Sequence, residues 1–297
     1  MLWLFGDTLV ARAPGAGRET AFFLRNSLAV QTGLDPTSAF MRFYWRWQDG
    51  EARSFLPEDD DGTWFWPMHG VRLDAGLLLF YERLRSDGPA GPSSFADSGW
   101  TAVLIDDPDD EPAAWRPRTA TLPADTTSAT FGEAVLREDG WLYVYGTRGD
   151  RHQIVLARFA EADAEAGDLS HPELYCDGAF AAGCAASSLV AIGAPEFSVH
   201  HDDDLGAYLL VESSGYGATT LSWRSAPRPE GPWSQPRDVY RPVESFADGA
   251  FVYAGKAHPM LEGGGLVATY VPSAFGTLPV ATDDRYYYPH FVRLYRP

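Results

Sequence analysis

The chain has 297 residues, 45% hydrophobic and 14% aromatic, enough apolar material for one large core or two small ones. Its 41 Asp and Glu against 23 Lys and Arg leave a formal net charge of −18, which repels phosphate backbones and anionic lipid and so argues against nucleic acid or a charged membrane surface as partner. No apolar run approaches the roughly 20 residues of a spanning helix, and the opening residues Met1 to Asp7 lack the basic start of an export signal.

In chain order, the first predicted element is the strand Leu2–Thr8. It lines up with Leu77–Arg83 and Leu142–Arg148, each the second strand of a hairpin. On that alignment the first unit's opening strand would end before residue 1. The first unit is therefore expected to lack its innermost strand, with either a longer natural N-terminus or another segment filling the slot. Location depends on this: cytoplasmic if the chain is complete, secreted if a segment is missing.

Further along, four two-strand phrases begin with His69, Glu133, Glu196 and His258, at steps of 64, 63 and 62 residues. Third strands follow, over residues 23–32, 100–106, 152–159, 218–225 and 289–295, rich in β-branched and aromatic residues. In two units a loop then reaches a Trp, Trp115 or Trp233, expected to open a fourth strand. Residues 160–167 are at most a helical turn. Five units of about 60 residues with up to four antiparallel strands predict an all-β five-bladed propeller. No linker interrupts the period, so residues 1–297 are expected to form a single domain.

In a propeller the innermost strands converge on one axis, so polar residues at their starts can share a cavity. The alternative is that each marker is a turn residue solvated at the rim. Asp7, Glu133 and Glu196 are the catalytic candidates, because glycoside hydrolysis needs one carboxyl to protonate the leaving oxygen and another to attack the anomeric carbon or activate water. His69, Lys256, His258, Arg25, Asn26 and Trp66 are candidates for holding substrate. His200, His201 and Asp202 to Asp204 read as a solvated acidic turn of the fourth unit.

Cys176 and Cys184, the only cysteines, lie eight apart between the third and fourth units, and either close a small disulfide or sit reduced. Their spacing fits no zinc framework, and the chain has no phosphate-binding loop, dinucleotide fingerprint, zinc-protease helix or serine-hydrolase elbow. No metal and no cofactor is expected; the expected partner is a carbohydrate.

These motifs resemble a known clan. The position of Glu133, the residues 225–233 ending in Gly-Pro-Trp, and Leu156 to Arg158 are similar to features of the five-bladed propeller glycoside hydrolases and phosphorylases, which include arabinanases, xylosidases and fructan-cleaving enzymes. More narrowly, residues 3–8, 25–30, 66–70, 195–202 and 253–259 resemble actinobacterial propellers related to endo-D-arabinanases. That resemblance implies a first-blade Asp pair in which Asp7 matches the second member and nothing matches the first. It also implies an acid-tuning Asp on the second blade, where this chain has His69. The activity implied is glycoside hydrolysis, arabinan-like substrates favoured, with a glycoside phosphorylase or a non-catalytic glycan- or protein-binding propeller as alternatives.

Overall fold

A computed structural model describes residues 1–88, 95–215, 217–274 and 282–295. Small antiparallel sheets are arranged as five blades around an axis.

Blade one contains β1 (Leu2–Phe5), β2 (Thr8–Val10), β3 (Phe22–Leu24), β4 (Ser27–Thr32), β5 (Phe40–Tyr44), β6 (Arg46–Gln48) and β7 (Glu51–Arg53). β1 pairs with β4, and β2 with β3, in one continuous register in which Phe5 faces Ser27 and Thr8 faces Leu24. The segment expected as one strand over 23–32 is thus broken at Arg25-Asn26, opposite Gly6-Asp7. β1 pairs on one side only, so among the described residues blade one has no strand inside β1, as the alignment predicts.

Blade two runs β8 (Trp64–Arg72), β9 (Leu77–Ser86), β10 (Phe95–Ile105) and β11 (Arg118–Thr119). Blade three has β12 (Thr130–Glu138), β13 (Trp141–Arg148) and β14 (Gln153–Ala160), then the short helix α1 (Glu161–Ala166) and the outer strands β15 (Glu173–Cys176) and β16 (Ala179–Ala181). Blade four is β17 (Phe197–Asp202), β18 (Ala207–Ser213), β19 (Leu221–Ala226) and β20 (Arg237–Tyr240). Blade five is β21 (Ala250–Ala257), β22 (Leu266–Ala274) and β23 (His290–Leu294). Trp115 and Trp233 do not open fourth strands; β11 and β20 start three and four residues later, after both indoles have packed inward against neighbouring cores.

Five apolar clusters hold the ring, one at each blade interface. The cluster of Leu28, Phe65, Tyr81 and Val103 joins blades one and two, and that of Phe80, Trp100, Phe131 and Val144 joins two and three. Tyr145, Ile154, Phe197 and Leu210 join three to four, and Leu221, Val252, Ala268 and Tyr270 join four to five. Trp3, Ala29, Leu261 and Val267 close the ring between five and one. Each blade is apolar on both faces because each is sandwiched, which explains why its strands read as near-continuous hydrophobic runs.

Three innermost strands are bulged, by one extra residue in β8 and β21 and by two in β12. The pairing register shifts between Pro67 and Gly70 in β8, between Phe131 and Ala134 in β12, and between Tyr253 and Lys256 in β21. Such bulges re-aim side chains. They leave Met68-His69, Gly132-Glu133 and Ala254-Gly255 outside the ladders. Gly132 must be glycine: its φ is 130°, and a Cβ there would sit 2.4 Å from the Cβ of Phe80 in the adjoining blade.

The even spacing of the four markers is therefore only partly structural. His69 and Glu133 occupy equivalent bulge positions, and Glu196 immediately precedes β17. The blade-five counterpart of His69 and Glu133 is Gly255, whereas His258 lies just past the end of β21.

Candidate functional site

Antiparallel pairing puts the end of each second strand beside the start of its innermost strand, so Asp7, Glu82, Glu133 and Glu196 come to one end of the ring from blades one to four. Of these, Glu196 adds to the upward shifts of Glu82 and Glu133, and Glu82 to that of Glu133. Burial pushes the Glu133 carboxyl well above the usual range; Lys256 opposes this, while Glu196, Glu82 and Asp97 add to it. Glu133 is 4% exposed and its Oε2 has no hydrogen-bond partner. Glu196 is raised by burial, opposed only by Lys256, and unlike Glu133 it keeps part of its surface open. Glu82, also partly open, is pushed up to about 8 by burial, with Asp97 and Glu196 acting in the same direction.

Asp7 sits in the break between β1 and β2. Burial raises its pKa, but the indole Nε1 of Trp66 donates to its Oδ1 at 2.8 Å, Arg25 lies 3.6 Å away, and the Tyr287 hydroxyl also donates to it. Trp66 thus reaches the carboxylate through its N–H, and its ring meets Phe95 edge-on at 4.8 Å. Arg25 is stacked between the rings of Trp64 at 4.1 Å and Phe23 at 5.0 Å.

Lys256 follows the blade-five bulge. That bulge is pinned from blade four, where the hydroxyls of Ser213 and Ser198 accept from the amides of Gly255 and Ala257. The ammonium donates to the Met68 carbonyl at 3.2 Å and acts on Glu133, Glu196, His69 and His258 alike. Burial, then Lys256, pushes His69 down to about 4. Burial pushes His258 down to about 3, with Lys256, His69 and His200 adding to the effect. Both imidazoles are therefore neutral at pH 7. His258 bonds Thr269 at 2.8 Å and packs on Trp3 at 4.6 Å between ring centroids, so it lies toward the ring's closure.

Three sequence expectations need correction. Asn26 is 2% exposed and its amide is fully engaged with backbone, donating to the carbonyls of Leu56 and Phe65 and accepting from the Leu56 amide; it braces blade one and is not available to substrate. His200 to Asp202 belong to β17 and not to a turn; alternation buries His200 and Asp202 and leaves only His201 outward, against Asp203. Cys176 ends β15 within blade three, whereas Cys184 lies past β16 in the segment leading to blade four, and the two form a disulfide.

Glu82 and Tyr287 were not expected. A signal existed for Glu82, an acid directly after the apolar run Leu77 to Tyr81, the same pattern that marks Asp7. No comparable signal marks Tyr287. Elsewhere, Asp74, Glu161 and Glu165 bring carboxylates within 4.8 Å of one another at the opposite end of blades two and three. Arg137 pairs with the first two, and Glu165 accepts from the amides of Asp74 and Ala75, so the cluster's charge is already answered by protein.

A family model described as "Domain of unknown function (DUF5005)" matches residues 1–296. No curated protein matches the sequence. Among solved structures, a candidate hydrolase from Bacteroides ovatus ATCC 8483 superposes with a TM-score of 0.75 at 18% identity, over 99% of this chain and 82% of its own. An endo-arabinase from Bacteroides thetaiotaomicron VPI-5482 gives 0.48 at 12% identity, over 92% and 90%. A thermostable family-43 glycoside hydrolase gives 0.48 at 13%, over 100% and 91%. At these identities the likeness is one of fold.

Proposed function

The chain belongs to the DUF5005 family, whose description assigns no chemistry, and from the polar end of the ring we propose that it is a glycoside hydrolase acting on neutral glycans, arabinan-like furanosides first among them. The observation that carries this reading is the cluster of Glu82, Glu133 and Glu196 from blades two to four, the last two facing the ammonium of Lys256, with Asp7 of blade one at the same end of the ring.

The surroundings separate the roles. Asp7 receives two side-chain hydrogen bonds and a guanidinium, all favouring its anion, so it is the carboxylate that attacks the anomeric carbon or activates water. Glu196 has one opposing cation, no such donors, and access from the mouth, so it keeps its proton and serves as the acid. Glu133 is too enclosed to reach a leaving oxygen; held protonated behind Glu196, it spares that residue a second negative charge. His69, His258 and Lys256 orient hydroxyls, His258 through the ring nitrogen that Thr269 does not occupy.

A phosphorylase is disfavoured because the two cations nearest the carboxyls are occupied. Arg25 is paired with Asp7 and stacked on Trp64, and Lys256 faces two glutamates. The test is a hydrolysis screen on arabinan, arabinogalactan and aryl furanosides. Glu196→Gln is expected to lower kcat by about 10²- to 10⁴-fold. Because the Glu196 pKa is raised, activity should hold past the ordinary carboxylate range and fall as pH rises through that pKa. Full activity in Glu196→Gln would refute the assignment.

A further inference from the structure

The ladder that holds Asp7 does not stop at the carboxylate. β2 and β3 continue it outward, so Leu9 faces Phe23 one two-residue repeat beyond the Asp7–Arg25 pair, roughly 7 Å along the same face. Phe23 is 51% exposed, and it joins none of the apolar clusters, although its neighbours Phe22 and Leu24 both pack in blade one. The Arg25 guanidinium lies against it at 5.0 Å and is itself backed by Trp64 at 4.1 Å. An aromatic ring that fills no core, is backed by a stacked cation, and lies in line with the reactive carboxylate has the features of a sugar platform.

We propose that Phe23 forms a second sugar-binding position, stacking a residue of the same neutral glycan whose neighbour lies at Asp7. This deepens the hydrolase reading and rests on it for the chemistry at Asp7. The substrate class it names is an oligo- or polysaccharide, not a single-sugar glycoside. The spacing supports that occupant, since roughly 7 Å is the scale of one sugar unit along a chain. Charge supports it too: the ion pairs beside it, Asp7–Arg25 and Glu51–Arg53, are already closed, so a neutral polyhydroxylated ring is accommodated without leaving a charge unpaired.

Affinity electrophoresis through gels containing arabinan or arabinogalactan reads binding directly, with hydrolysis of arabinan and an aryl arabinofuranoside measured in parallel. Wild type, Phe23→Ala, Phe23→Trp and Glu196→Gln are compared, with thermal melts to confirm folding. In one or both polysaccharides, wild type, Phe23→Trp and Glu196→Gln should be retarded. Phe23→Ala should bind about five- to tenfold more weakly and lose more of its kcat/KM on arabinan than on the aryl glycoside. Equal retardation of Phe23→Ala and wild type, or no retardation of wild type in either gel, overturns the proposal. No hydrolysis of either substrate by wild type, with retardation still lost in Phe23→Ala, overturns the hydrolase reading and leaves the platform standing.

Discussion

Lys256 is the residue on which the electrostatics of the site turn. Its ammonium lowers the pKa of both Glu133 and Glu196 against the larger effect of burial. Lys256→Met therefore raises both, and the alkaline limb of the pH–rate profile should move to higher pH; an unmoved limb would detach Lys256 from the acid. Glu82 gives the complementary stability prediction. Its folded-state pKa of about 8 lies above the ordinary 4.5, so its contribution to stability is intact below pH 4.5 and is lost as pH rises from 4.5 to 8. Glu82 retains some solvent contact, which discounts the loss to about 1 to 2 kcal/mol. Glu82→Gln should thus raise the melting temperature at pH 8 and leave it unchanged at pH 4, as measured by calorimetry at both pH values.

At the scale of elements, the strands are held in aim by polar clamps at the blade joints. The Glu212–Arg224 pair is the most buried of these, at 1% and 9% exposure with Nε to Oε1 at 2.9 Å. Glu212 accepts from the Ala194 amide and Arg224 donates to the Ile192 carbonyl, so the pair fixes the backbone two residues before Glu196. Removing one member strands a buried charge. Arg224→Met is expected to cost about 3 to 5 kcal/mol in chemical denaturation, and adding Glu212→Gln should recover much of it. A double variant no more stable than the single one would show that the pair does not act as a unit. The bulges were not legible in the sequence, because an extra residue or two in one strand leaves local composition unchanged. Only the positions of Pro67/Gly70, Phe131/Ala134 and Tyr253/Lys256 across their partner strands reveal it.

For the whole molecule, the critical joint is the one between blade five and blade one, where no strand among the described residues lies inside β1. Trp3 stands in that joint, 7% exposed, against His258 at 4.6 Å and Phe291 at 5.5 Å, with its indole N–H donating to Gln31 at 2.8 Å. Trp3→Ala should cost about 3 to 5 kcal/mol. It should also increase proteolysis in blades one and five before blade three, read by mass spectrometry of the early fragments; uniform cleavage would mean that closure is shared evenly around the ring.

Sequence alone determined the all-β class, the five units and the polar character of residues near the axis, because strand patterning is local and repetition at about 60 residues makes it visible five times over. Asp7 was singled out as the acid that ends an apolar strand, and Glu133 and Glu196 by their place in that period. What only the tertiary structure decided was which side chains share a space: that Asn26 is spent on backbone, that His200 is buried, that Gly255 and not His258 is the counterpart of Glu133, and that Glu82 and Tyr287 join the group. Those facts depend on ladder register and on close approach between blades, and both are set by contacts between residues dozens or hundreds of positions apart, which no local pattern encodes.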